Sequence, residues 1–189
     1  MLSKFYSEII GLIVAAFMLY FPYEWCKFRH EDENFYGLKW FLTKQSKRDL
    51  IIALLITLIP LTFITFYWPY EWGGRGLKHP SFWEAVNYLG GGIAAAFIEE
   101  TFFRGWLQTL TVKKFGVYTG IFITTLIFAL SHLIMISGWL RVATFFPGLI
   151  MGILRHTGGS VMPSIIYHAL CNIWAVWLAP VPLKKFLYR

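Results

Sequence analysis

The stretch Ile93-Ala-Ala-Ala-Phe-Ile-Glu-Glu-Thr-Phe-Phe-Arg-Gly-Trp106 places three ionisable side chains inside an apolar run. They are Glu99, Glu100 and Arg104. A charge at the centre of a bilayer costs roughly 2.5 to 3.5 kcal/mol on insertion scales, and ionisable residues within membrane helices usually serve a function. The stretch therefore predicts a membrane-spanning helix and a polar site within it.

The composition of the chain is that of a membrane protein. Of its 189 residues, 57% are hydrophobic and only 14% are charged, whereas soluble domains average about 25% charged residues. The net charge of +7 indicates contact with lipid headgroups, and no soluble basic face of the kind that binds nucleic acid is evident. The length, and the lack of any linker-like tract, predict a single integral membrane domain over residues 1–189.

Apolar runs of about 20 residues are long enough to cross a ~30 Å hydrocarbon core. Lys113, Lys114 and Gly116 predict the end of one such run and a tight turn into the next, because cations and a following glycine commonly terminate helices. We therefore expect an all-α, polytopic membrane protein with about six transmembrane helices and a buried polar site. The six runs lie near 5–21, 50–69, 83–112, 117–137, 139–156 and 160–180.

Two further patterns concern the architecture. The polar segment 24–49 mixes aromatic with basic residues, which is typical either of an amphipathic helix lying in the membrane interface or of a simple anchoring loop. Gly148 and Gly152 form a small-xxx-small pair, which predicts the close approach of another helix.

Three more polar residues lie inside later apolar runs: His132, His168 and Asn172. The spacing of four between His168 and Asn172 puts both on one helical face. A rise of ~1.5 Å per residue places Glu99 and Asn172 ~21 Å, and His132 ~23 Å, from the membrane surface at Lys113. The same count places His168 at ~15 Å. Residues far apart in sequence are thus predicted at similar depth, as a buried polar site requires.

Three motifs carry a resemblance to a known family. They are Glu99-Glu100-Thr-Phe-Phe-Arg104, Phe128-Ala-Leu-Ser-His132 and His168-Ala-Leu-Cys-Asn172. In this order, on separate apolar runs, they resemble the E-E-x-x-x-R, F-x-x-x-H and H-x-x-x-N/D motifs of the CAAX protease and bacteriocin-processing (CPBP, or Abi) family of intramembrane glutamic proteases. The resemblance covers roughly residues 83–180.

The resemblance implies an endopeptidase without a cofactor that cleaves a membrane-embedded or lipidated protein or peptide near its C-terminus. Because the chain is shorter than the eukaryotic CAAX enzymes, we expect a small prokaryotic member in the cell (inner) membrane.

The resemblance also implies a role for each motif residue. Glu99 would act with His132 as the general base that activates a water molecule. His168 and Asn172 would donate hydrogen bonds to the oxyanion of the tetrahedral intermediate. Glu100 and Arg104 would form a neutralising pair that makes the helix insertable and orients Glu99.

Two alternatives remain open at the level of sequence. Polar side chains often bridge membrane helices, so the same cluster could bind a peptide in a non-catalytic immunity or scaffold protein. Glu99, His132 and His168 are also a chemically possible zinc set, although the resemblance implies no metal. The chain has no H-E-x-x-H, G-x-G-D or G-x-S-x-G sequence, and therefore lacks the signatures of three other protease classes.

Overall fold

A computed structural model describes residues 2–67, 81–135 and 139–177, and the regular elements in these ranges are helices. A π-helical segment, Thr101–Leu107, joins α3 to α4 without a break, and a 3-10 helix, Trp139–Thr144, precedes α6. The described ranges thus form six helical rods, and the predicted all-α fold is confirmed. The α-helices are α1 (Leu2–Arg29), α2 (Lys44–Tyr67), α3 (Phe82–Glu100), α4 (Gln108–Phe115), α5 (Val117–Met135), α6 (Phe145–Gly158) and α7 (Met162–Trp177).

The first two helices present their apolar side chains outward. Stretches within them, Glu8–Arg29 and Lys44–Phe66, are long and apolar enough to cross a membrane, and Val117–Leu133 is a shorter apolar helix. Leu12 is 71% exposed and Ile59 is 75% exposed. Large aliphatic side chains with this exposure are stable in contact with lipid tails. Together with the length of these apolar helices, this shows that the chain is an integral membrane protein.

The predicted span 139–156 is not one continuous α-helix. Its first residues form the 3-10 helix, and α6 begins only at Phe145. With 14 residues, α6 is about 21 Å long, which is shorter than the hydrocarbon core. The predicted run 83–112 is continuous but contains the π-helical segment. Hydrophobicity predicts the length of an apolar run, whereas the hydrogen-bonding pattern within it depends on neighbouring helices.

The core lies where the later helices meet. Helix α3 packs against α7, α4 against α5, and α6 against both α5 and α7. Helix α1 contacts α3 and the π-helical segment, while α2 contacts α6 and α7. One apolar cluster lies between α2, the π-helical segment, α5, α6 and α7, and its buried members include Phe103, Phe128, Met151, Leu154 and Tyr167. This cluster surrounds the polar motif residues described below.

The turn predicted at Lys113, Lys114 and Gly116 is confirmed. Helix α4 ends at Phe115, and Gly116 has a φ of 81°, a conformation that favours glycine. In addition to the turn, the Thr111 hydroxyl joins α4 to α5. It lies 2.7 Å from the Thr124 hydroxyl oxygen and 3.0 Å from the carbonyl oxygen of Gly120. The hairpin is therefore held by polar contacts as well as by its turn.

The close approach predicted at Gly148 and Gly152 is also confirmed. A Cβ atom on Gly148 would lie 2.9 Å from the Thr125 methyl group, and one on Gly152 would lie 2.7 Å from the Ile121 methyl group. Larger residues at either position would push α5 and α6 apart. The small residues thus permit the backbone of α6 to reach α5 closely, as in other membrane-helix interfaces.

The segment between α1 and α2 is an anchored loop, and the interfacial-helix alternative is wrong. Helix α1 continues to Arg29, and residues 30–43 form turns and irregular structure. The Val161 amide donates to the carbonyl oxygen of Gly37 at 2.9 Å, and the Ser160 hydroxyl donates to that of Lys39 at 3.0 Å. The corner between α6 and α7 thus supplies hydrogen-bond donors to the loop carbonyl groups. These bonds stabilise the docked loop more than helix formation would.

Tyr36 anchors the same loop from the other side. Its ring is fully buried, its hydroxyl donates to the Glu31 carboxylate, and it accepts a hydrogen bond from the Trp25 indole at 3.0 Å. Burial and the hydrogen bond to Glu31 raise the pKa of Tyr36 to about 12. The phenol therefore stays protonated, and stays a donor, at any physiological pH.

We predict that Gly120→Ala will destabilise the hairpin. A Cβ at this position would lie 2.5 Å from the backbone nitrogen of Val112, and overpacking of this kind costs roughly 1–3 kcal/mol. The expected result is a lower yield of monodisperse protein and a lower Tm in detergent.

The matched control is Gly91→Ala, a helical glycine whose added Cβ would meet nothing within 4 Å. This variant should keep the wild-type yield and Tm. Equal behaviour of the two variants would contradict the close approach of α4 and α5.

Candidate active site

The two adjacent glutamates lie at the junction between α3 and the π-helical segment. Single π-helical turns within α-helices often occur at functional sites, because the wider turn shifts the side chains that follow it. The Glu100 side chain is completely buried, whereas that of Glu99 is 25% exposed. Two neighbouring residues of the same type thus lie in different environments.

Arg104 is buried and has three kinds of partner. Its Nη1 lies 3.0 Å from Glu100 Oε1, and its Nη2 donates to the carbonyl oxygen of Gly148 at 3.2 Å. Its guanidinium carbon lies 4.0 Å from the centre of the Phe128 ring. The ion pair predicted from the spacing of four is therefore present, and it is supplemented by a backbone acceptor and a cation–π contact.

Glu100 also contacts the last helix. His168 Nδ1 lies 2.9 Å from Glu100 Oε1, the same oxygen that pairs with Arg104. We expected the Glu100–Arg104 pair to orient Glu99. The contact that the structure shows is with His168, so Glu100 links α3 to α7 and holds the imidazole ring.

The two motif histidines converge on Glu99. The Oε2 atom of Glu99 lies 3.8 Å from His132 Nε2 and 3.9 Å from His168 Nε2. This oxygen is buried and accepts no hydrogen bond from the residues that the structure describes. The helical rise predicted that His168 lies about one turn from the depth of Glu99. The two side chains are long enough to meet across that difference in depth.

The protonation of both rings follows from their second nitrogen. His132 Nδ1 lies 2.9 Å from the carbonyl oxygen of Phe128, and a carbonyl can only accept, so we assign the proton to Nδ1. By the same reasoning, His168 Nδ1 donates to the Glu100 carboxylate. In the neutral rings, both Nε2 atoms are therefore acceptors that face Glu99 Oε2.

Phe128, the first residue of the second motif, forms an aromatic wall of the site. Its ring centre lies 4.5 Å from that of His132 and 5.9 Å from that of His168. The side chain is 1% exposed and also covers Arg104. An apolar ring at this position excludes water from one side of the cluster and strengthens the electrostatic contacts there.

Asn172 lies at the contact between α3 and α7. Its Nδ2 donates to the carbonyl oxygen of Gly92 at 3.0 Å, and a Cβ on Gly92 would lie 3.3 Å from the Asn172 Cβ. The amide nitrogen carries two hydrogens, so one remains for another acceptor. The structure thus gives Asn172 a structural contact that the motif did not predict.

Gln108 is a residue of the site region that the sequence analysis missed. Its Nε2 donates to the carbonyl oxygen of Gly152 at 2.9 Å, one turn beyond the bond from Arg104 to Gly148. A matching signal existed in the sequence, because Arg104 and Gln108 are spaced by four, as are Gly148 and Gly152. Two parallel bonds therefore join the π-helical segment and α4 to α6.

Comparison with protein families gave a match that spans the motif residues. Residues 81–174 match the family model described as type II CAAX prenyl endopeptidase Rce1-like, and this range includes all three motifs. Comparisons with curated proteins and with solved structures gave no match. The fold and the match define a polytopic membrane protein of the CAAX endopeptidase class. The chain belongs to the CPBP family of CAAX proteases and bacteriocin-processing proteins.

We predict that Arg104→Ala will mainly reduce folding. Removing one partner of a buried ion pair leaves the other charge uncompensated and costs roughly 3–5 kcal/mol. The expected result is a strong loss of folded protein in the membrane fraction, measured by size-exclusion chromatography after detergent extraction.

The double variant Glu100→Gln with Arg104→Gln removes both charges together and should recover part of the folded protein. Wild-type protein levels in Arg104→Ala, combined with a selective loss of turnover, would contradict a supporting role for this residue.

Proposed function

We propose that this protein is an intramembrane endopeptidase in which Glu99 and His132 activate a water molecule for attack on a peptide bond. The observation that carries the proposal is the convergence of His132 Nε2 and His168 Nε2 on Glu99 Oε2, at 3.8 and 3.9 Å. The family match to CAAX prenyl endopeptidases supports it independently.

The electrostatics of the cluster favour a bound water. When both rings are neutral, Glu99 Oε2 faces two further acceptor atoms at 3.8 and 3.9 Å. Acceptors this close repel each other unless they share a hydrogen-bond donor, and the cost is high in a water-poor interior. A water molecule can donate to Glu99 and to His132 at once, which holds it and increases the negative charge on its oxygen. This is the arrangement that general-base catalysis requires.

The proposed reaction conserves every proton. Water transfers a proton to Glu99 as its oxygen forms a bond to the substrate carbonyl carbon, giving a tetrahedral oxyanion. When the carbon–nitrogen bond breaks, the protonated Glu99 returns that proton to the leaving amine. His132 orients the water through Nε2, because its Nδ1 is already committed to the backbone.

Oxyanion stabilisation places a specific demand on His168. Its Nδ1–H donates to Glu100, so Nε2, an acceptor in the neutral ring, would donate to the oxyanion only after the ring has taken up a proton from solvent and become an imidazolium. A carboxylate oxygen of Glu100 lies 2.9 Å from Nδ1, so the imidazolium would have an ion-pair partner on that side. Asn172 would contribute the amide hydrogen that Gly92 does not use. Preorganised donors of this type commonly lower the barrier by roughly 3–4 kcal/mol each.

The substrate is proposed from the family and from the membrane setting. CAAX prenyl endopeptidases act on membrane-associated, prenylated proteins. For this chain we propose a membrane-embedded or lipidated protein or peptide that is cut near its C-terminus. We further propose that the protein resides in a prokaryotic cell (inner) membrane as a single domain over residues 1–189.

We predict that Glu99→Gln will abolish cleavage without lowering the amount of folded protein. The amide keeps the size of the side chain but cannot accept a proton, and loss of a general base typically costs 10²–10⁴-fold in rate. The measurement is cleavage of a farnesylated CAAX peptide and of an unlipidated transmembrane peptide by the full chain in liposomes.

The matched control is Glu24→Gln, which changes an exposed glutamate and should keep full activity. Full activity of a folded Glu99→Gln variant would contradict the proposed base. If neither peptide is cut, mass spectrometry of membrane and secreted proteins from cells with the wild-type or Glu99→Gln protein will search for the natural cleavage. Identical peptide patterns would favour the non-catalytic immunity or scaffold alternative.

We predict that catalysis will not depend on a divalent metal ion. No group of three or more histidine, cysteine, aspartate or glutamate side chains in the described residues is arranged to hold one. Activity should persist in excess EDTA and in 1,10-phenanthroline. Reversible loss of activity in chelator, restored by one zinc ion per chain, would instead assign Glu99, His132 and His168 as metal ligands.

A further inference from the structure

A cavity of about 360 Å³ opens where α4, the end of α6 and the loop 30–43 meet. Its walls include Phe35, Thr109, Lys113, Arg155 and His156. The cavity lies beside the turn at Gly116, and hence at the end of the helices rather than in the middle of the membrane. Its mixture of basic groups with an aromatic ring differs from the glutamate and histidine cluster around Glu99.

Arg155 is the least expected of these residues. It is only 9% exposed, and its Nη2 donates to the carbonyl oxygen of Phe35 at 3.2 Å and to the Thr109 hydroxyl at 3.3 Å. Both partners are neutral, and its Nε has no hydrogen-bond partner within residues 2–67, 81–135 and 139–177. Among the described residues, no carboxylate lies within ion-pairing distance of the guanidinium. A buried cation without a counter-charge is costly, and an anion in the adjacent cavity would supply the missing charge.

Lys113 provides a second cation at the cavity. Its side chain is 58% exposed, and Nζ lies 3.6 Å from Glu31 Oε1. At this distance and exposure the ion pair is weak, so the ammonium group is available to another anion. Two cations from different helices beside one cavity resemble the basic pockets between transmembrane helices that bind lipid headgroups.

The cavity is separated from the proposed catalytic residues. The bond from Arg104 to Gly148 joins the π-helical segment to α6 beside the cluster, whereas Gln108, which donates to Gly152, lines the cavity itself. Seven residues of π-helix, Thr101–Leu107, separate Glu100 from Gln108 at the cavity wall. A substrate carboxylate held at Arg155 would have to pass the contact of Arg104 with Gly148 to place its peptide bond at Glu99. The separation therefore favours a ligand other than the substrate.

We propose that this cavity binds the phosphate group of an anionic lipid headgroup. Arg155 and Lys113 donate to the phosphate oxygens, and Phe35 packs against the glycerol and the first methylene groups. The position at the helix ends, next to the exposed aromatic side chains of Phe35 and Phe115, is the level at which lipid phosphates lie. This inference does not depend on proteolysis.

The test measures lipid retained by the full-length chain in detergent, using native mass spectrometry with phosphatidylglycerol and phosphatidylcholine. The chain should retain phosphatidylglycerol more strongly, and Lys113→Gln should weaken its binding about five-fold. The matched control is Lys114→Gln, the neighbouring lysine with the same change of charge, which should bind like the wild type. Glu31→Gln removes the competing carboxylate and should bind phosphatidylglycerol at least as tightly as the wild type.

Inorganic phosphate and a peptide with a free C-terminal carboxylate are the competing ligands. Neither should displace the lipid at millimolar concentration; displacement by inorganic phosphate would overturn the lipid source, and displacement by the peptide would overturn the lipid assignment. Equal effects of Lys113→Gln and Lys114→Gln would show only general attraction to surface charge and would overturn the site. Arg155→Gln, if it folds, should weaken binding further, and unchanged binding in a folded Arg155→Gln protein would also overturn it.

Discussion

The Glu100 carboxylate is the contact on which the rest of the site depends. One of its oxygens meets both Arg104 and His168, and Arg104 continues to the backbone of α6 at Gly148. A single buried group therefore ties together α3, the π-helical segment, α6 and α7. Burying such charges is expensive. The ion pair, the backbone acceptor, the imidazole and the Phe128 ring offset part of that cost, while Glu100 Oε2 and Arg104 Nε have no hydrogen-bond partner among the described residues.

The membrane explains why polar contacts carry so much of the architecture. Lipid tails are as apolar as leucine, so apolar side chains alone do not drive helices together. The helices meet instead through glycines that permit close approach, such as Gly148 and Gly152, and through side chains that donate to backbone carbonyls, such as Gln108 and Asn172. Because the same contacts position the polar cluster, stability and function cannot be separated at Glu100 and Arg104.

The two adjacent glutamates lie in different environments. The Glu100 side chain is fully buried and contacts Arg104 and His168 through Oε1, whereas the Glu99 side chain is 25% exposed and its Oε2 faces two imidazole rings. In the proposed mechanism, the first property suits a permanent charge and the second suits a group that exchanges protons. Pairs of carboxyl groups with contrasting surroundings commonly divide catalytic roles in this way.

By itself, the sequence determined the membrane setting, the helical fold, the turn at Gly116, the ion pair of Glu100 with Arg104 and the set of polar motif residues. Each of these follows from local properties: the length of an apolar run, a spacing of four, or a glycine after two cations. Only the tertiary structure decided that His168 bonds to Glu100, that Asn172 bonds to Gly92, that α6 starts at Phe145 after a 3-10 helix, and that the loop 30–43 docks on the corner between α6 and α7. These features depend on which helices touch and on how their side chains are oriented. Periodicity shows which face of a helix a residue occupies, but the partner on that face is set by packing between segments far apart in the chain.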